Sequence, residues 1–155
     1  METAVRNELT LEKEEIKRIL PHRGRMLLLD RVVITAEEIR GELTVTKDMC
    51  EGHAVLDGEL VLRGSDLLDM ASQLLGVFLA IDFEVLGRKC MPREYGRAEF
   101  RARIKPLEKI IIEMPLPIEE EAVRSSVFFT GRHFTVLDEK RRTRAKIESV
   151  ELVVI

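Results

Sequence analysis

One long apolar segment limits the folds open to this chain more than any other feature. From residue 65 to residue 86, apolar side chains occupy nearly every face of a predicted helix. Asp66 stands where a helix N-terminus favours an acid, and Gly87 supplies the usual carboxyl-terminal stop. A helix that is apolar all round has to be buried inside a protein. Its longest unbroken apolar run, 74–81, is far shorter than the roughly 20 residues of a membrane span, so we expect no transmembrane helix.

The residues before this helix predict one short helix and two strands. The segment from Leu11 to Leu20 is amphipathic, follows Thr10 as an N-cap candidate and stops against a proline. Two further stretches, 26–35 and 39–46, are apolar or alternating and are separated by a short break. We expect these two stretches to be antiparallel strands.

The residues after the long helix alternate with the period of a β-strand. In the segment 97–104, the apolar residues face one way while arginines and a glutamate face the other. The segments 109–116, 122–137 and 144–155 also predict strands, and residues 138–140 predict a hairpin turn. Several strands around one buried helix indicate an α+β fold, in which an antiparallel sheet wraps the helix.

The composition is that of one globular domain, which we take as residues 1–155. With 45% hydrophobic residues the chain can bury a substantial core. Acidic and basic residues are evenly mixed, and the net charge is only -3. One tyrosine and no tryptophan give no support for base stacking, so we expect no nucleic-acid partner. The N-terminus lacks an apolar signal core, and Cys50 and Cys90 lack the spacing of a zinc site or CxxC pair. We predict a cytoplasmic protein with free thiols.

Two residues near the start of the long helix have the chemistry of an acid-base pair. His53 follows Gly52 in a predicted loop and carries a group that titrates near neutral pH. Asp69 lies within an apolar run, where a carboxylate has no apparent structural need. Taken alone, the residues leave two plain alternatives open: His53 could be a surface turn residue, and Asp69 could face solvent.

Three other titratable residues are assigned structural roles. We expect Asp66 to interact with the helix dipole, and His22 to hold a local turn through hydrogen bonds to the backbone. His133 is interpreted as an ordinary strand residue.

Several short motifs match those of one enzyme family. Residues 19–32, ILPHRGRMLLLDRV, are similar to an amino-terminal signature that reads approximately LPHRxxxLLxDRV. Glu51-Gly52-His53 resembles a GHF motif, Arg63-Gly64 a Pro-Gly, and residues 68–73, LDMASQ, the motif L(E/D)AMAQ. Residues 98–107, AEFRARIKPL, resemble a strand that ends in a proline-containing turn. Over almost its whole length, the chain thus resembles the β-hydroxyacyl-acyl carrier protein dehydratases, which have the hot-dog fold.

The resemblance implies dehydration of 3-hydroxyacyl thioesters to trans-2-enoyl thioesters in fatty-acid or related lipid synthesis, without metal or organic cofactor. This reaction removes a proton from carbon 2 and protonates the leaving hydroxyl, a task that one imidazole and one carboxyl group can divide. His53 and Asp69 match the family's catalytic residues. Family members take the histidine of each site from one subunit and the carboxylate from the other, so a homodimer is implied, compatible with higher association.

Two further residues have predicted roles beside this pair. The thioester oxygen gains negative charge during proton removal, and backbone N–H groups at a helix N-terminus can stabilise it. Gly64 is placed for this, because a backbone without a Cβ atom can be approached closely. Gln73, one turn beyond Asp69, is expected to hydrogen-bond the carboxylate and orient it.

The arginines of the segment 97–104 have two interpretations. They are either a solvated strand face or a docking surface for the acidic acyl carrier protein, with Arg97, Arg101 and Arg103 steering association.

The loop from Ala54 to Gly64 departs from the family pattern. It is two residues longer and lacks the family's prolines, so its geometry is expected to differ. Two alternatives therefore stay open: a hot-dog thioesterase in which the helix carboxylate activates water or attacks the thioester, and a non-catalytic acyl-binding or regulatory protein.

Overall fold

The computed structural model describes residues 7–83, 89–123 and 126–155. Its helices and strands follow one another along the chain. They are β1 Leu9–Glu12, α1 Lys13–Ile19, β2 Arg31–Ile34, β3 Glu38–Thr44, α2 Lys47–Cys50, β4 Val55–Leu56, β5 Glu59–Leu60, α3 Gly64–Asp82, β6 Cys90–Tyr95, β7 Ala98–Phe100, β8 Lys109–Pro115, β9 Glu119–Val123, β10 Ser126–Asp138 and β11 Thr143–Val154.

One antiparallel sheet carries most of the strands. Its order is β1-β2-β3-β8-β10-β11-β6, with β7 also paired to β11 and β9 to β10. Helix α3 packs against this sheet, and its side chains Met70, Leu74 and Leu79 are completely buried. Ile112 and Ile147 from the central strands are equally buried in the same core. The predicted α+β fold, an antiparallel sheet wrapped on one long helix, is confirmed.

Helix α3 begins one residue earlier than predicted, at Gly64, and is described to Asp82; Leu86 and the predicted stop at Gly87 lie outside the described residues. In its first turn the buried Asp66 accepts two hydrogen bonds from the Arg63 guanidinium, each 3.1 Å long. By length and hydropathy alone α3 could cross a membrane, but 56% of its apolar window is buried by the protein itself. Helix α3 is therefore the buried core helix that is predicted from its apolar residues on every face.

The N-terminal helix is shorter than predicted. Leu11 belongs to β1 and pairs with Val32 of β2, so the helix starts at Lys13, and Glu12, rather than Thr10, is its N-cap. The backbone N–H of Glu12 donates to Glu15 Oε1 at 3.2 Å. Pairing with β2 satisfies the backbone of residues 9–12, and this overrides the helical periodicity that begins there.

Three predictions about strand extent were also wrong. The strand predicted at 97–104 ends at Phe100, and Phe100 is 48% exposed instead of facing inward. After one more hydrogen bond, from Arg101 N–H to the Arg144 carbonyl at 2.8 Å, the chain leaves β11, and the Ile104 carbonyl accepts from Leu62 N–H at 2.8 Å. The stretch predicted as one strand over 122–137 is divided between β9 and β10. Of the strand predicted over 26–35 only Arg31–Ile34 forms, as β2, because residues 24–26 make a 3-10 turn. Strand β3, its antiparallel pairing with β2, the strand predicted at 109–116 and the turn at 138–140 are confirmed.

The long loop after His53 folds into a small hairpin of β4 and β5. Asp57 and Gly58 form its two-residue turn, both with positive φ (52° and 77°), as the tight type I′ connection requires. At the tip Asp57 accepts from Arg103 Nη1 at 2.7 Å. The additional loop residues are therefore accommodated in regular structure, and the hairpin starts and ends beside the predicted site.

Candidate active site

A cavity of about 570 Å³ runs along one side of α3. One wall is helix α3, and the others are the turn that follows α1 and the edge strand β6. The α3 residues that line it lie three or four positions apart and so share one helical face. They are Asp69, Ser72, Gln73, Gly76 and Ala80. One carboxylate therefore lies in a channel whose remaining helix wall is made of small or uncharged residues.

Asp69 is half-buried at one end of this row. Burial raises the pKa of its carboxyl group above the ordinary value of 3.8, and the charge of Asp66 raises it further. The charges of His22 and Arg63 lower it, with a smaller effect. A carboxyl group with raised proton affinity is suited to giving a proton to a leaving group.

His22 lines the same cavity as Asp69, which the sequence did not predict. Its Nδ1 atom is buried and has no hydrogen-bond partner among the described residues. Burial lowers the pKa of the imidazole, and the charge of Asp69 opposes this effect. The hydrogen bonds to the turn that were expected from His22 are made by Arg23 instead, to the carbonyls of Leu20 at 2.7 Å and Lys17 at 2.8 Å.

His53 lies on the surface and is not among the residues that line this cavity. It follows Gly52, whose φ of 79° is in the region that favours glycine. The His53 Nδ1 atom lies 3.1 Å from the carbonyl oxygen of Val61, across the base of the β4–β5 hairpin. Within one chain, the structure therefore brings Asp69 together with His22 and holds His53 at a separate, fixed place.

Two hydroxyl groups, those of Ser72 and Tyr95, lie near Asp69. Ser72 Oγ donates to the carbonyl of Leu68 at 3.2 Å and lies 2.8 Å from Tyr95 Oη on β6. Because serine has one hydroxyl hydrogen, the tyrosine donates when both bonds form. Burial raises the pKa of Tyr95, and the charge of Asp69 raises it further. The sequence did not reveal this pair, because its members are 23 residues apart.

Gln73 is buried, but its amide is occupied by the backbone of the turn after α1. Its Oε1 accepts from Leu28 N–H and its Nε2 donates to the Met26 carbonyl, both at 2.8 Å. These contacts replace the predicted hydrogen bond to the Asp69 carboxylate. Gln73 thus attaches the segment 26–28, predicted as the start of a strand, to α3, a few residues after the turn that lines the cavity.

Gly64 is the first residue of α3, as its predicted role requires. N–H groups in the first turn of a helix have no carbonyl partner within the helix. A Cβ atom at this position would lie only 3.2 Å from the Phe100 ring. The Phe100 ring therefore occupies the space beside the position where a Cβ atom would stand, so a larger residue at 64 would force this ring to move.

The three arginines predicted to dock a carrier do not form one strand face. Arg101 and Arg103 lie beyond the end of β7, and Arg97 is exposed just before it. Arg101 pairs with Glu99 at 3.0 Å and Arg103 with Asp57 at 2.7 Å, so acidic neighbours offset both charges. Other cations line the cavity itself, namely Lys17, Arg18, Arg23 and Lys89.

Solved structures with a similar fold include dehydratases and thioesterases. A dehydratase heterocomplex, ApeI:P from Xenorhabdus doucetiae, matches with a TM-score of 0.65 and 16% identity over 90% of both chains. An inactive mutant of the CurJ dehydratase matches with a TM-score of 0.69 and 14% identity, over 94% of this chain and 48% of that one. A putative thioesterase from Lactococcus lactis reaches 0.53 at 12% identity, over 79% and 84%. These matches show the hot-dog fold.

No protein-family model matches the chain, but curated relatives do. A 3-hydroxyacyl-[acyl-carrier-protein] dehydratase FabZ from Ligilactobacillus salivarius is 28% identical over 141 residues, 88% of this chain and 96% of that protein. The FabZ of Enterococcus faecalis is 33% identical over 106 residues, 66% of this chain and 74% of that protein. With such identity over about three quarters of a relative's length, the chain belongs to the FabZ family of 3-hydroxyacyl-[acyl-carrier-protein] dehydratases.

Proposed function

We propose that this chain catalyses the reversible dehydration of 3-hydroxyacyl thioesters to trans-2-enoyl thioesters, on substrates attached to acyl carrier protein. The setting is fatty-acid or related lipid synthesis in the cytoplasm, and the reaction needs no metal or organic cofactor. Family membership supports the reaction class. The observation that carries the assignment to residues is the contact of His53 Nδ1 with the Val61 carbonyl.

That contact prepares His53 to act as a base. A carbonyl oxygen can only accept a hydrogen bond, so Nδ1 must carry the hydrogen when the bond at 3.1 Å forms. The other ring nitrogen, Nε2, then has a free lone pair in the neutral imidazole. Nε2 is therefore the atom that accepts the proton from carbon 2 of the substrate.

Asp69 is suited to the opposite half of the reaction. Its raised pKa favours the protonated form, which can donate to the hydroxyl on carbon 3. As the C2–H bond breaks, its electron pair forms the C2–C3 double bond, and the C3–O bond breaks to release water. The histidine finishes protonated and the aspartate ionised, so one proton must return from the first to the second before the next turnover.

The thioester carbonyl gains negative charge during proton removal. The first turn of α3 offers backbone N–H groups and the positive end of the helix dipole, beginning at Gly64. Asp69 lies five residues further along the same helix, about 7.5 Å at the usual rise per residue. We therefore place the thioester toward the N-terminus of α3.

The site is proposed to form between two copies of the chain. His53 is exposed and stands outside the cavity that contains Asp69 of its own chain, so the pair is incomplete in one protomer. In a homodimer, His53 of one protomer would meet Asp69 of the other. The β4–β5 hairpin, which fixes His53, exposes Val55 and Leu56, and such apolar surface favours contact with a second copy.

The test is turnover of 3-hydroxybutyryl and crotonyl groups on acyl carrier protein, with enoyl product and free thiol measured in parallel. Interconversion of the two acyl groups, lost in both His53→Ala and Asp69→Asn, is the expected result. Release of free thiol, lost in Asp69→Asn alone, would identify a thioesterase. Binding of acyl carriers without either reaction would identify the non-catalytic alternative.

A further inference from the structure

The cavity continues along α3 well past Asp69. The residues that line it on this helix extend to Ala80, eleven positions later and about 16 Å away at the usual rise per residue. Leu20, Met91 and Leu152 contribute apolar walls. If the thioester lies toward the helix N-terminus, as the proposed function requires, an acyl tail extends from Asp69 in the opposite direction, toward Ala80.

Gly76 lies in the middle of this path, seven residues after Asp69, or about 10 Å along the helix. A glycine inside a helix is destabilising relative to alanine, so its presence requires a reason. Packing does not supply one. Among the residues that the structure describes, a Cβ atom at Gly76 would meet only the Leu20 Cδ2 atom, at an ordinary contact distance of 3.6 Å.

Other glycines of the chain show what a packing requirement looks like. A Cβ atom at Gly41 would lie 2.6 Å from Leu29 Cδ2, and one at Gly131 would lie 2.5 Å from Met114 Sδ. Either substitution would force neighbouring core atoms to move. Within the described part of the chain Gly76 has no such neighbour, and it lines the cavity, so a side chain there would occupy the cavity itself.

We propose that Gly76 sets the length of acyl chain that the site accepts, by leaving the channel open past the first two turns from Asp69. This inference rests on the proposed function for the direction of the acyl tail. About 10 Å corresponds to roughly eight carbons of an extended chain, at about 1.25 Å of advance for each C–C bond of about 1.5 Å. Because Asp69 faces the hydroxyl on carbon 3, these carbons are counted from there: acyl chains longer than about eleven carbons reach Gly76, and shorter ones do not.

The test compares Gly76→Leu with wild type on 3-hydroxyacyl groups of 4, 8, 12 and 16 carbons. The C4 and C8 substrates should keep their kcat/KM within about twofold, while C12 and C16 lose at least about tenfold, because bulk in an apolar channel excludes only the chains that reach it. Ala80→Leu, one turn further, should spare C12 and impair C16. Equal losses at all four lengths in folded Gly76→Leu would overturn the proposal.

Two controls keep the result interpretable. Gly76→Ala should raise Tm, since helix propensity improves and no atom is displaced. If Gly76→Leu does not fold, Gly76→Ala and Ala80→Leu still test the proposal. Calorimetric binding of saturated acyl-pantetheines of the same lengths reports the channel without catalysis. If the wild-type chain has no dehydratase activity but Gly76→Leu loses binding of the longer acyl groups alone, the proposed function is refuted and the role of Gly76 is retained. If Gly76→Leu loses binding of all lengths equally, the role of Gly76 is refuted.

Discussion

His22 and Asp69 line one cavity of a single chain, and the charge of each acts on the pKa of the other. His53, the histidine that matches the family's catalytic motif, lies outside that cavity, at the base of the surface hairpin β4–β5. Two imidazoles could thus serve Asp69, one from its own chain and one from a second copy. Mutation can decide between them, because the chain has three histidines and the third offers a control.

We predict that His53→Ala lowers the rate of crotonyl-carrier hydration at least about a hundredfold, as expected for removal of a general acid-base group. His22→Ala should cost less than tenfold, since His22 acts on Asp69 only through its charge and position. His133→Ala, at an exposed position of β10, is the matched control and should leave the rate unchanged. The opposite ranking of the first two variants would move the base to His22.

Complementation between inactive chains tests the shared site. His53→Ala and Asp69→Asn chains, refolded together, should recover about a quarter of wild-type activity, because half of randomly formed dimers are mixed and each has one intact site of two. Activity is measured against each variant refolded alone. If mixed dimers form, as shown by differently tagged chains, and remain inactive, each chain must carry its own complete site.

The raised pKa of Asp69 predicts a direction for the pH dependence of stability. Burial disfavours the ionised carboxylate, so between the unfolded value of 3.8 and the higher folded value the native chain binds more protons than the unfolded one. The contribution of this group is fully present below pH 3.8 and is lost as pH rises through the folded pKa.

Asp69→Asn should therefore raise Tm at pH 7, by an amount on the order of 1–2 °C, and the gain should shrink as pH falls toward 4. Thermal unfolding of both chains over this pH range provides the measurement. Glu99→Gln, at an exposed carboxyl group whose pKa is lowered by Arg101, should show no such gain. A lower Tm for Asp69→Asn at pH 7 would mean that the ionised carboxylate is stabilised in the native state.

The carrier's contact surface can be located by charge reversal. If Arg101 and Arg103 dock the acidic carrier, the double change to glutamate should lower turnover of carrier-bound substrate several-fold and spare an acyl-pantetheine, with an effect that weakens as salt increases. The matched variant reverses Arg18 and Lys89, two of the exposed cations of the cavity lining. A selective loss in the second variant alone would place the carrier at the mouth of the cavity instead of beside β7.

The sequence by itself determined the central helix, most of the sheet and Asp69. Each is a local property: period and polarity are set by neighbouring residues, and an acid in the apolar run 67–71 is visible without any coordinates. The family motifs added His53 and the expected fold. The hairpin that holds His53 was seen only as a loop of unusual length, although Asp57-Gly58 is a turn pair that could have indicated it.

Only the tertiary structure decided which side chains share the cavity. His22 and Asp69 are 47 residues apart, and Tyr95 reaches Ser72 from a strand whose alternation is not apparent in the sequence. Helical spacing predicts a hydrogen bond from Gln73 to Asp69, yet the Gln73 amide binds the backbone of Met26 and Leu28. These backbone groups are not paired with a neighbouring strand, so a side chain has to satisfy them. Local sequence fixes the direction in which a helix presents a residue, while the partner it meets depends on how distant segments pack.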